Sequence, residues 1–196
     1  MAPPQSTHPG DAVIPDANMV YDQTITVPSR SPAQCFPWLL QLGCGRAGWY
    51  LPFVIEKWLV PQTMCASRKV QSQWTQLKTG DVIADYRMPF FDSEQPSFEV
   101  MEIRDGDDCD GQEDKRYIVY KSHRYGAVFS WTLMAGKAEQ PGGTLVHLRF
   151  RGRIAATGLK GRLIVWGGGI MDYLSTAPML LGLRDRVLVE EKMHNE

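Results

Sequence analysis

The chain has few cysteines and none arranged for chemistry. Cys35, Cys44, Cys65 and Cys109 form no Cys-x-x-Cys pair and have no histidine at ligand spacing, which argues against a zinc site or a dense disulfide framework. Scattered thiols of this kind are expected to stay reduced, in a cytoplasmic protein. An excess of one charge is also missing. Twenty-one Lys+Arg stand against 22 Asp+Glu, a formal net charge of -1, so no basic field draws in nucleic acid or an anionic membrane. The opening Met1–Pro15 has no apolar core of the kind a secretory leader needs, and residues 1–17 are expected as a mobile polar arm. Uninterrupted apolar runs are absent with one exception, Leu163–Leu183, whose single charge is Asp172. Gly167–Gly169, Pro178 and that central acid argue against a membrane span, and a helix laid on a core accounts for the run.

What is present is globular. The composition, 43% hydrophobic and 22% charged over 196 residues, suits one domain, here residues 18–196, with a real core. Tyr21–Val27 alternates β-branched residues and predicts a first strand. Ser31-Pro32 then supplies an N-cap and a first-turn proline for a helix carrying Cys35, Phe36, Leu39, Leu40 and Leu42 and ending at Gly43. A second short helix is predicted over Phe53–Leu59. From there strand patterns recur at Gly80–Arg87, Ser97–Arg104, Arg116–His123, Val128–Met134 and Thr144–Ile154. Helical spacing returns over Leu174–Glu190. A sheet crossed by a long helix encloses an apolar pocket where the two do not fully interdigitate.

Two motifs suggest other chemistry. Gly43-Cys-Gly-Arg-Ala-Gly48 is a literal GxGxxG and resembles the first motif of S-adenosylmethionine-dependent methyltransferases. That motif needs a strand before it and an acid about twenty residues on, whereas Pro61–Arg68 contains no acid. A helix cap followed by a glycine turn is the plainer expectation. Asp105–Gly111 imitates a calcium loop, but the register is off by one and Arg116 stands where a bidentate glutamate belongs.

The residues Gly48-Trp-Tyr50, Trp74–Asp81, Phe98-Glu-Val100, Ser130-Trp-Thr-Leu133, Thr144–Arg151 and Met179–Arg186 resemble a little-characterised branch of the START-like helix-grip superfamily, the SRPBCC or polyketide cyclase-like group. The resemblance covers about residues 19–190. It implies an α+β helix-grip fold: a curved antiparallel sheet wrapped around a long C-terminal helix, with two short helices after the first strand. It also implies a hydrophobic ligand cavity. Some members cyclise or dehydrate polyketides there, and others carry lipids. Gly167–Gly169 departs from the pattern and would loosen the start of the last helix.

On this frame the expected function is that of a cofactor-independent enzyme acting on a polyketide- or terpenoid-like molecule. It would promote cyclisation (cycloaddition included), isomerisation or dehydration in a biosynthetic pathway. The alternative is a non-catalytic lipid or metabolite carrier or sensor. His123 is the first acid/base candidate because imidazole titrates near neutrality. Asp85 and Tyr120 join it, since a desolvated carboxyl or a hydroxyl can move a proton or polarise a carbonyl. Trp49, Tyr50, Tyr117, Phe129 and Trp131 are aromatic candidates for substrate contact. Tyr86 and Glu99 lie near Asp85 in the pattern, with Glu99 expected to face water. Asp172 and Tyr173 stand near a cavity mouth, where a lone acid in an apolar run must be paired or functional. Along Leu145–Ile154, alternation sends His147, Arg149, Arg151 and Arg153 to one face and Val146, Leu148 and Phe150 to the core. Arg149 binds substrate only if the sheet curls to bring it inward.

Overall fold

The computed structural model describes residues 8–85, 96–106, 115–124, 127–139, 142–154 and 158–194. Its elements are β1 (Met19–Val27), α1 (Pro32–Leu40), α2 (Phe53–Leu59), α3 (Ser72–Thr75), β2 (Val82–Ala84), β3 (Ser97–Arg104), β4 (Arg116–Arg124), β5 (Ala127–Lys137), β6 (Thr144–Ile154) and α4 (Gly158–His194). The strands form one antiparallel sheet in the order β1-β6-β5-β4-β3-β2. This sheet, the long C-terminal helix and the short helices after β1 make up the expected α+β helix-grip layout. No described helix is long and apolar enough to cross a membrane.

Local chemistry accounts for the helix boundaries. Ser31 caps α1 in a reciprocal box with Gln34, and Pro32 takes the first turn. After α1 the glycines Gly43 and Gly48 bridge to each other, closing a loop that follows a helix. The strand-delivered turn of a nucleotide site is not built here. Helix α4 starts at Gly158 and continues through Gly167–Gly169, well before the expected Leu174. Close packing bears on one of the three: a Cβ on Gly169 would stand 2.6 Å from Met19 Sδ, whereas a Cβ on Gly167 would meet open space.

Alternation divides the sheet into two faces. Val27, Phe98, Val100, Ile118, Tyr120, Trp131, Leu133, Val146, Leu148 and Phe150 join Trp38, Leu39, Met179, Leu180 and Leu183 in the core. Helix α4 packs mainly on β1 and α1 on β4–β6. The other face is covered by residues 8–16, part of the expected arm. Asp11 lies 3.4 Å from Arg149 and 3.3 Å from Arg151. Arg151 Nη2 donates to Ile14 O at 2.9 Å, and Arg153 meets Asp16 at 2.6 Å. The basic face of β6 thus holds the N-terminal segment as a strap. Arginine's fork suits it to carboxylate and carbonyl partners of this kind.

A fully buried arginine ties α4 to the irregular region after α1. Arg186 pairs with Glu56 and donates to Ser67 O (2.8 Å), Leu51 O (2.8 Å) and Gly182 O (3.0 Å). Its guanidinium also lies 4.8 Å from the Tyr50 ring centroid and 5.1 Å from that of Phe53. Gly182 lets the helix this close, since a Cβ there would stand 2.4 Å from the backbone carbon of Leu51.

Two outcomes are expected in urea unfolding. Arg186→Ala, which strands Glu56 in the core, should cost about 3–5 kcal/mol. Gly182→Ala, ordinarily a gain in a helix, should instead cost about 1–3 kcal/mol through overpacking. A stabilised Gly182→Ala variant would show that α4 does not pack against Leu51.

Candidate functional site

The helix-covered face of the sheet carries a row of aromatic rings, the aromatic floor, and the strand register builds it. Tyr21 opposes Phe150, Phe150 opposes Trp131, and Trp131 opposes Tyr120. All four therefore point the same way in one row across β1, β6, β5 and β4. Tyr21 and Phe150 stack at 4.9 Å with an interplanar angle of 6°. Phe129, in the next row on the same face, lies 5.6 Å from Phe150. Phe98 stands 4.8 Å from Trp131, and Trp49 closes edge-on at 5.7 Å from Trp131 and 6.0 Å from Phe98. Aromatic edges and faces in this arrangement attract one another, and Phe98, Tyr120, Trp131 and Phe150 are buried while Trp49, Tyr21 and Phe129 are partly exposed at the margin of the cluster.

Helix α4 brings an acid to the β1 end of this floor. Tyr21 donates its hydroxyl hydrogen to Asp172 Oδ2, and the Tyr173 ring stands edge-on to Tyr21 at 5.7 Å. Gln23 Nε2 donates to Tyr173 O at 3.0 Å, fixing the helix to the strand. Burial drives the Asp172 carboxyl from 3.8 up to about 7, because desolvation penalises the charged form. Such a group both gives and takes a proton at neutral pH. The same stretch of α4 leaves Leu163, Trp166, Ile170 and Leu174 exposed to solvent, an apolar surface beside the acid.

Polar capacity on the helix-covered face goes beyond this pair. The Tyr120 hydroxyl, Ser122 Oγ and Gln23 Oε1 are buried without a hydrogen-bond partner among the described residues. Buried polar atoms in native proteins are nearly always satisfied, by ordered water or a ligand where the chain supplies no partner. Burial pushes the Tyr120 hydroxyl above its ordinary pKa, which keeps it a hydrogen donor.

The structure gathers only part of the predicted set. Tyr120, Trp49, Phe129, Trp131, Asp172 and Tyr173 share the helix-covered side of the sheet. Asp85 stands at its edge, its carbonyl accepting from Trp49 Nε1 at 2.5 Å. His123 is a β4 position opposite Val128, with its side chain outside the described residues, and Tyr86 lies wholly outside them. The other four are placed elsewhere. Tyr50 is fully buried at Arg186, accepting from Gln41 Nε2 (2.8 Å) and donating to Trp38 O (3.0 Å), so it is structural. Tyr117 is on the opposite face, bonded to Glu102. Glu99 is exposed opposite Lys121, as the alternation predicted. Arg149 stays on the strap side with Asp11 and Asp22, because β6 keeps its alternation to Gly152. Sequence analysis missed Tyr21, Gln23 and Ser122. The alternation of β1, with Tyr21, Gln23 and Ile25 on one face, was the signal for the first two.

No protein-family model and no curated protein matches the chain. Among solved structures it is similar to Ara h 8.0201, at 11% identity and a TM-score of 0.45 over 87% of this chain and 98% of that one. Protein CV1439 from Chromobacterium violaceum is similar at 15% identity and a TM-score of 0.42, over 84% and 94% of the two chains. Protein MLL2253 from Mesorhizobium loti follows at 16% identity and 0.35, over 85% and 98%. Likenesses this loose say nothing of ligand or activity.

The partly buried acid makes a pH prediction. Between 3.8 and about 7 the folded chain holds a proton on Asp172 that the unfolded chain has released, so native stability falls as pH rises through that window. Asp172→Asn cannot titrate. Its stability relative to the parent should therefore rise across this window and level off above it, as read by urea unfolding in a pH series. A difference that stays constant with pH would rule out a raised Asp172 pKa.

Proposed function

We propose that the protein is an enzyme that takes an apolar, oxygen-bearing molecule of polyketide- or terpenoid-like character onto the aromatic floor. There it promotes isomerisation, dehydration or cyclisation by proton transfer at Asp172. The observation that carries this is the Asp172–Tyr21 pair, a carboxyl held near neutrality by burial at the end of a row of aromatic rings. Tyr21 engages Oδ2, and Oδ1 is the oxygen a substrate would meet. Tyr120 and Ser122, further along the floor, would bind a carbonyl or hydroxyl of the same molecule. Stacking on Phe150, Phe129 and Trp131 would hold one reactive conformer, which by itself lowers the barrier by restricting the substrate. Proton transfer of this kind is within reach of the chain's own carboxyl and hydroxyl groups. Asp172 takes the leading role that the sequence assigns to His123.

A second use of the same surface is carriage without turnover. The exposed apolar side chains of α4 next to Asp172 favour it, since they suit the pick-up and release of a lipid or metabolite.

Mass spectrometry of the protein incubated with extract of its source separates the two. An enzyme should convert a bound molecule to an isomer or to a species one water lighter. Asp172→Asn should then lower the rate by roughly 10²–10⁴-fold while the molecule still binds. A molecule recovered unchanged from both forms after long incubation would establish the carrier and overturn the catalytic proposal.

A further inference from the structure

The strap side of the sheet holds a group of side chains that the site on the helix-covered face does not use. His8 of the strap and His147 of β6 face each other, with Nε2 of His8 3.2 Å from Nδ1 of His147 and the rings nearly perpendicular at 4.9 Å. The second nitrogen of each ring is already engaged. His8 Nδ1 lies 2.8 Å from Pro9 O, and His147 Nε2 lies 2.7 Å from Asp22 Oδ1. A carbonyl and an ionised carboxylate only accept hydrogen bonds, so those two nitrogens carry the hydrogens. In a neutral imidazole the remaining nitrogen is then a bare acceptor. Two lone pairs therefore meet at 3.2 Å, an arrangement that is repulsive unless a positive centre lies between them.

We propose that His8 Nε2 and His147 Nδ1 bind a divalent transition-metal ion of the zinc class, with Asp22 as the positioning residue for the His147 ring. Three features favour a metal ion over a shared proton. Imidazole nitrogens on zinc sit about 2.0–2.1 Å from the ion, which at a tetrahedral angle separates them by about 3.3 Å, close to the 3.2 Å observed. The carboxylate on the far nitrogen of His147 is the partner that metal-bound histidines usually have, fixing the tautomer and raising ligand basicity. The ligand atoms of His8, His147 and Asp22 also all lie within 4.8 Å of one another, so the carboxylate is close enough to balance the ion's charge. Arg149, 3.6 Å from Asp22 and 3.4 Å from Asp11, opposes the cation and points to moderate affinity, with water completing the coordination. A bound ion would join the first strap residue to β6 and clamp the segment that Arg151 and Arg153 hold further along.

The test uses the full chain stripped with chelator and titrated with Zn²⁺ by calorimetry, with Co²⁺ as a spectroscopic probe. One equivalent of Zn²⁺ should bind and raise the melting temperature. His8→Ala and His147→Ala should each weaken binding at least tenfold, and Asp22→Asn by roughly 10–100-fold. Co²⁺ should give a nitrogen and oxygen spectrum with no thiolate charge-transfer band. Cys44 and Cys65 are the partly exposed thiols among the described residues, so Cys44→Ser/Cys65→Ser should bind as the parent does. Absence of one-to-one uptake, uptake that survives His147→Ala, or a thiolate band would each overturn the proposal. None of these outcomes bears on Asp172 or the aromatic floor.

Discussion

The Arg186 guanidinium holds together the half of the molecule that has little regular structure. Between α1 and β2 the chain forms only the short helices α2 and α3 and a few isolated turns, and its backbone carbonyls need partners wherever they are buried. Arg186 supplies several at once, reaching Leu51, Ala66 and Ser67 from α4 while Glu56 balances its charge. A buried ion pair adds little net stability over an apolar substitute, yet losing one partner is costly. Its contribution here is geometric. It sets the C-terminal half of α4 against the loops, and the direction of α4 then decides where Asp172 meets β1.

The sheet serves opposite chemistries on its two faces. Strand β6 shows the division most plainly, with Leu148 and Phe150 in the core and His147, Arg149 and Arg151 under the strap. The aromatic floor benefits from this arrangement because the charges stay out of it. Asp172 is thereby left in surroundings that raise its pKa, since no arginine of β6 reaches it to stabilise the carboxylate.

Much of the fold was legible from local pattern. The bounds of α2, β3 and β6, the Ser31 cap and the inward face of β6 follow from spacing and alternation alone. What escaped depends on distant partners. Tyr50 looks like any cavity aromatic until Arg186, Gln41 and Trp38 enclose it. Residues 8–16 look like an unattached polar arm because their partners are arginines more than a hundred and thirty positions away. Asp172 stood out as a lone acid in an apolar run, but its partner Tyr21 reads as an ordinary strand residue. The histidine pair was invisible to a search for metal ligands at short spacing, because 139 residues separate its members.

The pairing of β1 with β6 makes the first strand wait for the last. During synthesis Tyr21 leaves the ribosome long before Phe150, its cross-strand neighbour, and its bond to Asp172 spans 151 positions. Closing loops of that length is slow and entropically costly. Strands β2–β5 can pair as they emerge, whereas β1 has no strand to join until β6 is out. The nascent chain therefore carries an unpaired, half-apolar strand for most of its synthesis, the state most open to wrong pairing with a neighbouring chain.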